Sequence, residues 1–149
     1  MTLLSQRDLR WASTKLGKSS LTVGRYGCTT TSICMLSDYF GTYTDPGVYA
    51  KAAKHYTLDG LIIWEKIDIK GMKWEGNEPG KNDKKIQEYL KDPNKGVILQ
   101  VNDGQHWVLG VGKKLIGNSY TVADPWTGQY CDVIKTYHNI TKMAFFHRA

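Results

Sequence analysis

Cysteine is scarce in this chain, with three in 149 residues. An odd, small number does not make a disulfide framework, so packing has to hold the fold together. Long apolar runs are missing as well. None approaches the roughly 18 residues that a membrane-spanning helix needs. Neither a Cys-x-x-Cys nor a His-x-x-x-His spacing occurs, which leaves no zinc motif, and no metal or other cofactor is expected. The opening Met1-Thr2-Leu3-Leu4-Ser5-Gln6-Arg7 has no basic start and no long apolar stretch, so no signal peptide is expected. Internal repeats and low-complexity tracts are absent too.

What is present fits a folded protein. Hydrophobic residues make up 41% and charged residues 23%, which argues against disorder. The length suits one sizeable core, and residues 1–149 are expected to form a single domain. Acidic residues are outnumbered: Lys and Arg total 20 against 14 Asp and Glu, a formal charge of +6. That balance suits a polyanionic partner such as a nucleic acid, an anionic lipid or a bacterial wall, or it serves solubility alone. The lysines come in pairs, Lys84-Lys85 and Lys113-Lys114, and make no long block, so they read as solvated surface. Without a basic stripe or a known motif, a nucleic-acid partner is not expected.

The pattern changes along the chain. Thr29, Ile33, Leu36 and Phe40 recur at helical spacing after Gly27-Cys28, giving one apolar face, and Gly41 supplies a stop. A second helix is predicted from Asp45-Pro46, an N-cap followed by a proline tolerated in the first turn, with Val48, Tyr49, Ala52, Ala53 and Tyr56 along one side. A third runs from Asn82 to Lys91, apolar at Ile86, Tyr89 and Leu90 and ended by Pro93. Strands then follow at Val97–Val101, His106–Val111 and Tyr120–Ala123, with further ones at Tyr130–Ile134 and Met143–His147. Asn102-Asp103-Gly104 and Gly117-Asn118 supply turns. Helices first and an antiparallel meander afterwards predict an α+β fold, with N-terminal helices packed on a C-terminal antiparallel sheet.

Three residues in this frame could carry chemistry. Cys28 opens a helix, where the dipole and unpaired N–H groups favour a thiolate. Taken alone, Cys28 is better explained as a buried structural thiol. His106 begins a strand after a turn, where it can meet a helix N-terminus packed on the sheet or sit in solvent. Asp124 ends the neighbouring strand, where a carboxylate can hold an imidazole nitrogen, although Asp before Pro is also a common turn. Cys34 lies six residues beyond Cys28, about 600° around the helix, and so points away from it. Cys34 and Cys131 read as core residues, with a bridge between them left open. Trp64, Trp74, Trp107 and Trp126 read as core or cleft walls, and His55, His138 and His147 have no partners nearby in sequence.

Taken together, the motifs have a recognisable order. Tyr26-Gly27-Cys28-Thr29-Thr30-Thr31-Ser32 resembles the nucleophile motif of C39-like cysteine peptidases of the papain-like superfamily. Gly104-Gln105-His106-Trp107-Val108-Leu109-Gly110-Val111 resembles their His strand, and Val122-Ala123-Asp124-Pro125-Trp126-Thr127-Gly128 their Asp-Pro-x-x-Gly turn. Ser5-Gln6-Arg7-Asp8-Leu9-Arg10-Trp11 resembles the Gln-x-Asp-x-x-Trp opening of stand-alone members found in bacterial and phage proteins. The matches span nearly the whole chain. Two positions depart from the family: transporter-linked members carry their Gln six residues before the Cys, where this chain has Thr22, and many members have Gly or Ala at Thr29.

The resemblance implies a papain-like fold and a hydrolase with a Cys-His-Asp triad. Cys28 would be the nucleophile, His106 the general base and then acid, and Asp124 the residue that orients His106. Gln6 would donate to the oxyanion beside the Cys28 N–H. The implied reaction is hydrolysis of a peptide or isopeptide bond. The implied substrate is a peptide, a protein or peptidoglycan, the last as in phage endolysins. Such an enzyme would be made in the cytoplasm and act at the wall or in a virion, as a monomer. Two alternatives stay open: a papain-like protease or deamidase acting on a protein target, and a non-catalytic binding module on the same scaffold.

Overall fold

A computed structural model describes residues 1–149. Helix α1 spans Val23–Tyr26, and α2 follows over Cys28–Tyr39. Helix α3 spans Pro46–Lys51, with Asp45 as N-cap accepting from the Val48 N–H at 2.8 Å. Strand β1 is Met72–Pro79 and α4 is Asp83–Lys91, capped by Asn82. The chain then runs through β2 (Lys95–Val101), β3 (His106–Lys113), β4 (Tyr120–Asp124), β5 (Gln129–Asp132), α5 (Val133–Tyr137) and β6 (Ile140–Arg148). The six strands form one antiparallel sheet in the order β1-β6-β2-β3-β4-β5, so the fold is α+β.

Alternation along the strands splits the core in two. Ile98, Leu109, Ala123, Ala144 and Phe146 face α2 and α3. Val97, Leu99, Val101, Val108, Val122 and Phe145 face the other side, under α4 and α5. Every residue of α2 from Thr30 to Ser37 is buried, which departs from the single apolar face expected. The helix lies between β3 on one side and α1 and α3 on the other. Of its buried polar side chains, the Thr31 hydroxyl alone has no partner. Thr30 hydrogen-bonds the Tyr56 hydroxyl at 2.6 Å, and Ser37 donates to the Cys34 carbonyl at 2.7 Å.

Four sequence expectations change. The second helix stops at Lys51 instead of running toward Tyr56. A separate 3₁₀ turn follows over Ala53–His55, and Val48 is 62% exposed. Strand β1 was not expected, since Gly76 and Pro79 interrupt its pattern; it lies at the sheet edge, where such residues are tolerated. The strand expected at Tyr130–Ile134 ends at Asp132, whose carboxylate accepts from the Lys135 N–H at 3.1 Å and turns the chain into α5. Cys34 and Cys131 are both free and pack on opposite faces of the sheet, so no bridge joins them. None of the helices is long and apolar enough to cross a membrane.

Candidate active site

Gly27 makes the junction that presents Cys28. A Cβ there would lie 2.5 Å from the Val23 carbonyl oxygen and 2.8 Å from Val23 Cα, so α1 can meet α2 this closely only at glycine. Cys28 becomes the first residue of α2, where first-turn N–H groups have no acceptor within the helix. The α2–β3 packing, tied by Ser32 donating to the Trp107 carbonyl at 3.5 Å, sets Cys28 beside the start of β3.

His106 is the first residue of β3. Just before it, Asn102, Asp103 and Gly104 all have positive φ (53°, 54° and 86°), a sharp turn that favours glycine and asparagine. Asn139 fastens this turn. Its Oδ1 accepts from the Asp103 N–H at 3.2 Å, and its Nδ2 donates to Asp103 Oδ1 at 2.7 Å. Leu109 pairs with Ala123, so Asp124 ends β4 beside Val108 and shares a face with His106. The pairing is direct: His106 Nε2 and Asp124 Oδ1 lie 2.8 Å apart. Cys28 lines the same cleft as the imidazole.

Asp124 is 2% exposed and fully engaged. Its Oδ1 also accepts from the Trp126 N–H at 2.9 Å, and its Oδ2 accepts from the Tyr137 hydroxyl. Burial alone would raise its pKa. The donors His106, Tyr137 and the Trp126 N–H outweigh burial and hold the carboxyl below the usual range. The same competition acts on His106. Burial opposes its charge, but the hydrogen bond to Asp124, the Asp124 charge and the neighbouring Cys28 prevail and push it up to about 9.

Gln6 comes from the far end of the chain. Its N–H donates to the Pro125 carbonyl at 2.7 Å, and the neighbouring Arg7 Nε donates to the Trp126 carbonyl at 2.8 Å, docking the N-terminal segment on the β4–β5 turn. The Gln6 side chain is 1% exposed. Its Nε2 donates one proton to the Gly24 carbonyl at 3.2 Å and keeps a second, while Oε1 has no partner. Gln6, Cys28 and His106 line one cleft of about 320 Å³. Thr22 only precedes α1, with its backbone bridged to Lys15.

The other reactive residues lie apart. Burial pushes the thiols of Cys34 and Cys131 up, away from the thiolate. His55 is held between the Tyr49 carbonyl at 2.9 Å and Asp68 Oδ1 at 2.8 Å, and stacks on the Tyr49 ring. His147 meets Glu75 Oε1 at 2.9 Å, and His138 ends α5 with φ of 68°. Trp64, Trp74 and Trp107 cluster against the core, whereas Trp126 is 41% exposed and lines the cleft.

Sequence reasoning missed Tyr137. Its hydroxyl caps Asp124, and its ring lies 5.2 Å from that of His106. No motif marks it; an N-cap at Asp132 before the aromatic residue five positions on was the available signal. Arg25, Tyr26, Asn102 and Gln105 also line the cleft, where sequence reasoning assigned none of them a catalytic or binding role. No family model, curated protein or solved structure matches this chain.

Proposed function

We propose that the chain is a cysteine peptidase of the C39-like, papain-like kind. The observation that carries this reading is the convergence of Cys28, His106 and Gln6, from three separate parts of the chain, on one cleft, with Asp124 buried against His106. The layout agrees with a papain-like fold: a helix presents the nucleophile at its N-terminus, and the sheet packed against it carries the base and its carboxylate at strand ends.

The geometry supports a two-step acyl transfer. The Cys28 thiolate attacks the carbonyl carbon, and the oxygen takes up the negative charge between the Cys28 N–H and the free Nε2 proton of Gln6. As the C–N bond breaks, protonated His106 gives its proton to the departing amine. Water then attacks the thioester and gives a proton to His106, and the thiolate leaves. Asp124, held by Tyr137 and the Trp126 N–H, keeps the imidazole oriented and favours its charged form.

Peptidoglycan is the proposed substrate. The formal charge of +6 suits an anionic wall, and the cleft is lined without any acidic side chain. The test is incubation with purified peptidoglycans of several peptide types and with an unfolded polypeptide, reading new amino termini and masses. New termini from peptidoglycan support the proposal. Cleavage of the polypeptide alone identifies a protease on proteins, a gain of about one dalton without cleavage identifies a deamidase, and no change in any substrate favours a binding module.

A further inference from the structure

We propose that Arg25 is a specificity residue that receives a carboxylate of the substrate beside Cys28. The inference rests on the cleft reading above and names the chemistry of its ligand: an acidic peptide group close to the scissile bond.

The position of Arg25 carries the argument. It sits in the last turn of α1, three residues before Cys28, and its side chain lines the same cleft as Cys28 and His106. Its guanidinium has no carboxylate partner, whereas that of Arg10 in the N-terminal segment is held by Asp8. Its only marked neighbour is the ring of Tyr26, 5.9 Å from Cζ. Trp126 also lines the cleft, and Arg7 stacks on its ring at 4.3 Å and brings a second positive charge to it. No Asp or Glu lines the cleft, since Asp124 is buried behind His106. Asn102 and Gln105 add neutral amides able to donate to the same carboxylate. An unpaired guanidinium with five donors, beside an aromatic wall and free of competing acids, is built for planar anion recognition.

The test compares two alkylating probes of nearly equal size on the intact protein. Iodoacetate carries a carboxylate and iodoacetamide a neutral amide. In both, the Cys28 thiolate bonds the methylene carbon and iodide leaves with the bonding pair. The readout is the rate ratio, iodoacetate over iodoacetamide, followed by mass at Cys28 and normalised to the ratio for a free thiol peptide. The expected ratio favours iodoacetate, and Arg25→Gln lowers it by about tenfold. Arg25→Lys restores part of it, and Lys114→Gln, which removes an equal charge outside the cleft, leaves it unchanged. The Arg25 effect shrinks in 1 M salt. An Arg25→Gln ratio equal to the parent's overturns the inference, even where absolute rates at Cys28 are high. Slow, ordinary alkylation at Cys28 with a ratio that still depends on Arg25 counts against the activated thiol and upholds the carboxylate site.

Discussion

At the scale of single residues, His106 sets the pH behaviour. Its pKa is pushed up from 6.5 to about 9, so the folded protein holds a proton that the unfolded chain releases earlier. The stabilisation this brings is complete below about pH 6.5 and disappears as pH rises through about 9. Urea midpoints should therefore fall between pH 7 and 10 in the parent, and His106→Gln should flatten that slope. Catalysis follows the same proton. With His106 as the acid for the leaving amine, kcat/KM should fall above about pH 9. Tyr137 acts through Asp124. Tyr137→Phe removes one donor to a buried carboxylate, a loss of about 1.5–3 kcal/mol in stability. Because that donor helps hold Asp124 ionised, Tyr137→Phe should also move the acid limb of the profile upward and lower kcat with little change in KM. A purely structural Tyr137 would leave the limb in place. The sequence revealed Cys28, His106 and Asp124 because each stands at a helix start or strand end with a turn beside it. Tyr137 escaped notice because tertiary packing alone brings Asp124 to it, and Arg25 because nothing local in the sequence marks it as lining the cleft.

Elements are placed by a few close approaches. The α1–α2 junction needs Gly27, and a methyl there would press against Val23 backbone atoms at 2.5–2.8 Å. Gly27→Ala should cost about 1–3 kcal/mol, read from urea unfolding, and should weaken alkylation of Cys28 by displacing the first turn of α2. Gly96 makes a similar approach, where a Cβ would fall 2.5 Å from Leu36 Cδ1 on α2; that contact is to a flexible side chain, and the substitution should be milder. Elements with strong local signals were legible. Asp45 caps its helix as expected, the helix predicted from Asn82 forms with Asn82 as its cap, and Asn102-Asp103-Gly104 turns the chain into β3. Those governed by context were not. Val133 and Ile134 read as strand residues, yet the Asp132 cap and the Ser119 contact to the Ile134 N–H at 3.2 Å turn them helical. Strand β1 forms because β6 offers it a ladder.

For the whole molecule, order along the sheet matters more than order along the chain. The last strand, β6, lies between β1 and β2 and pairs with both. Deleting residues 140–149 should therefore abolish folding, seen as loss of near-ultraviolet circular dichroism, since both core clusters lose β6 side chains. The site is equally distributed. Gln6 reaches the cleft only because the N-terminal segment docks on the turn after β4, a contact across 119 positions that no local pattern announces. A general α+β layout was legible from helices followed by strands; the sheet order was not, because β6 and β1 pair across about half of the chain. The central claim is that a Cys28 thiolate, assisted by His106, attacks a carbonyl. Its most direct test is the release of new amino termini from purified peptidoglycan by the parent and by Cys28→Ala. The account predicts release by the parent and a loss of at least about 10³-fold in Cys28→Ala, whereas a Cys28→Ala protein that works at the parent's rate would contradict it.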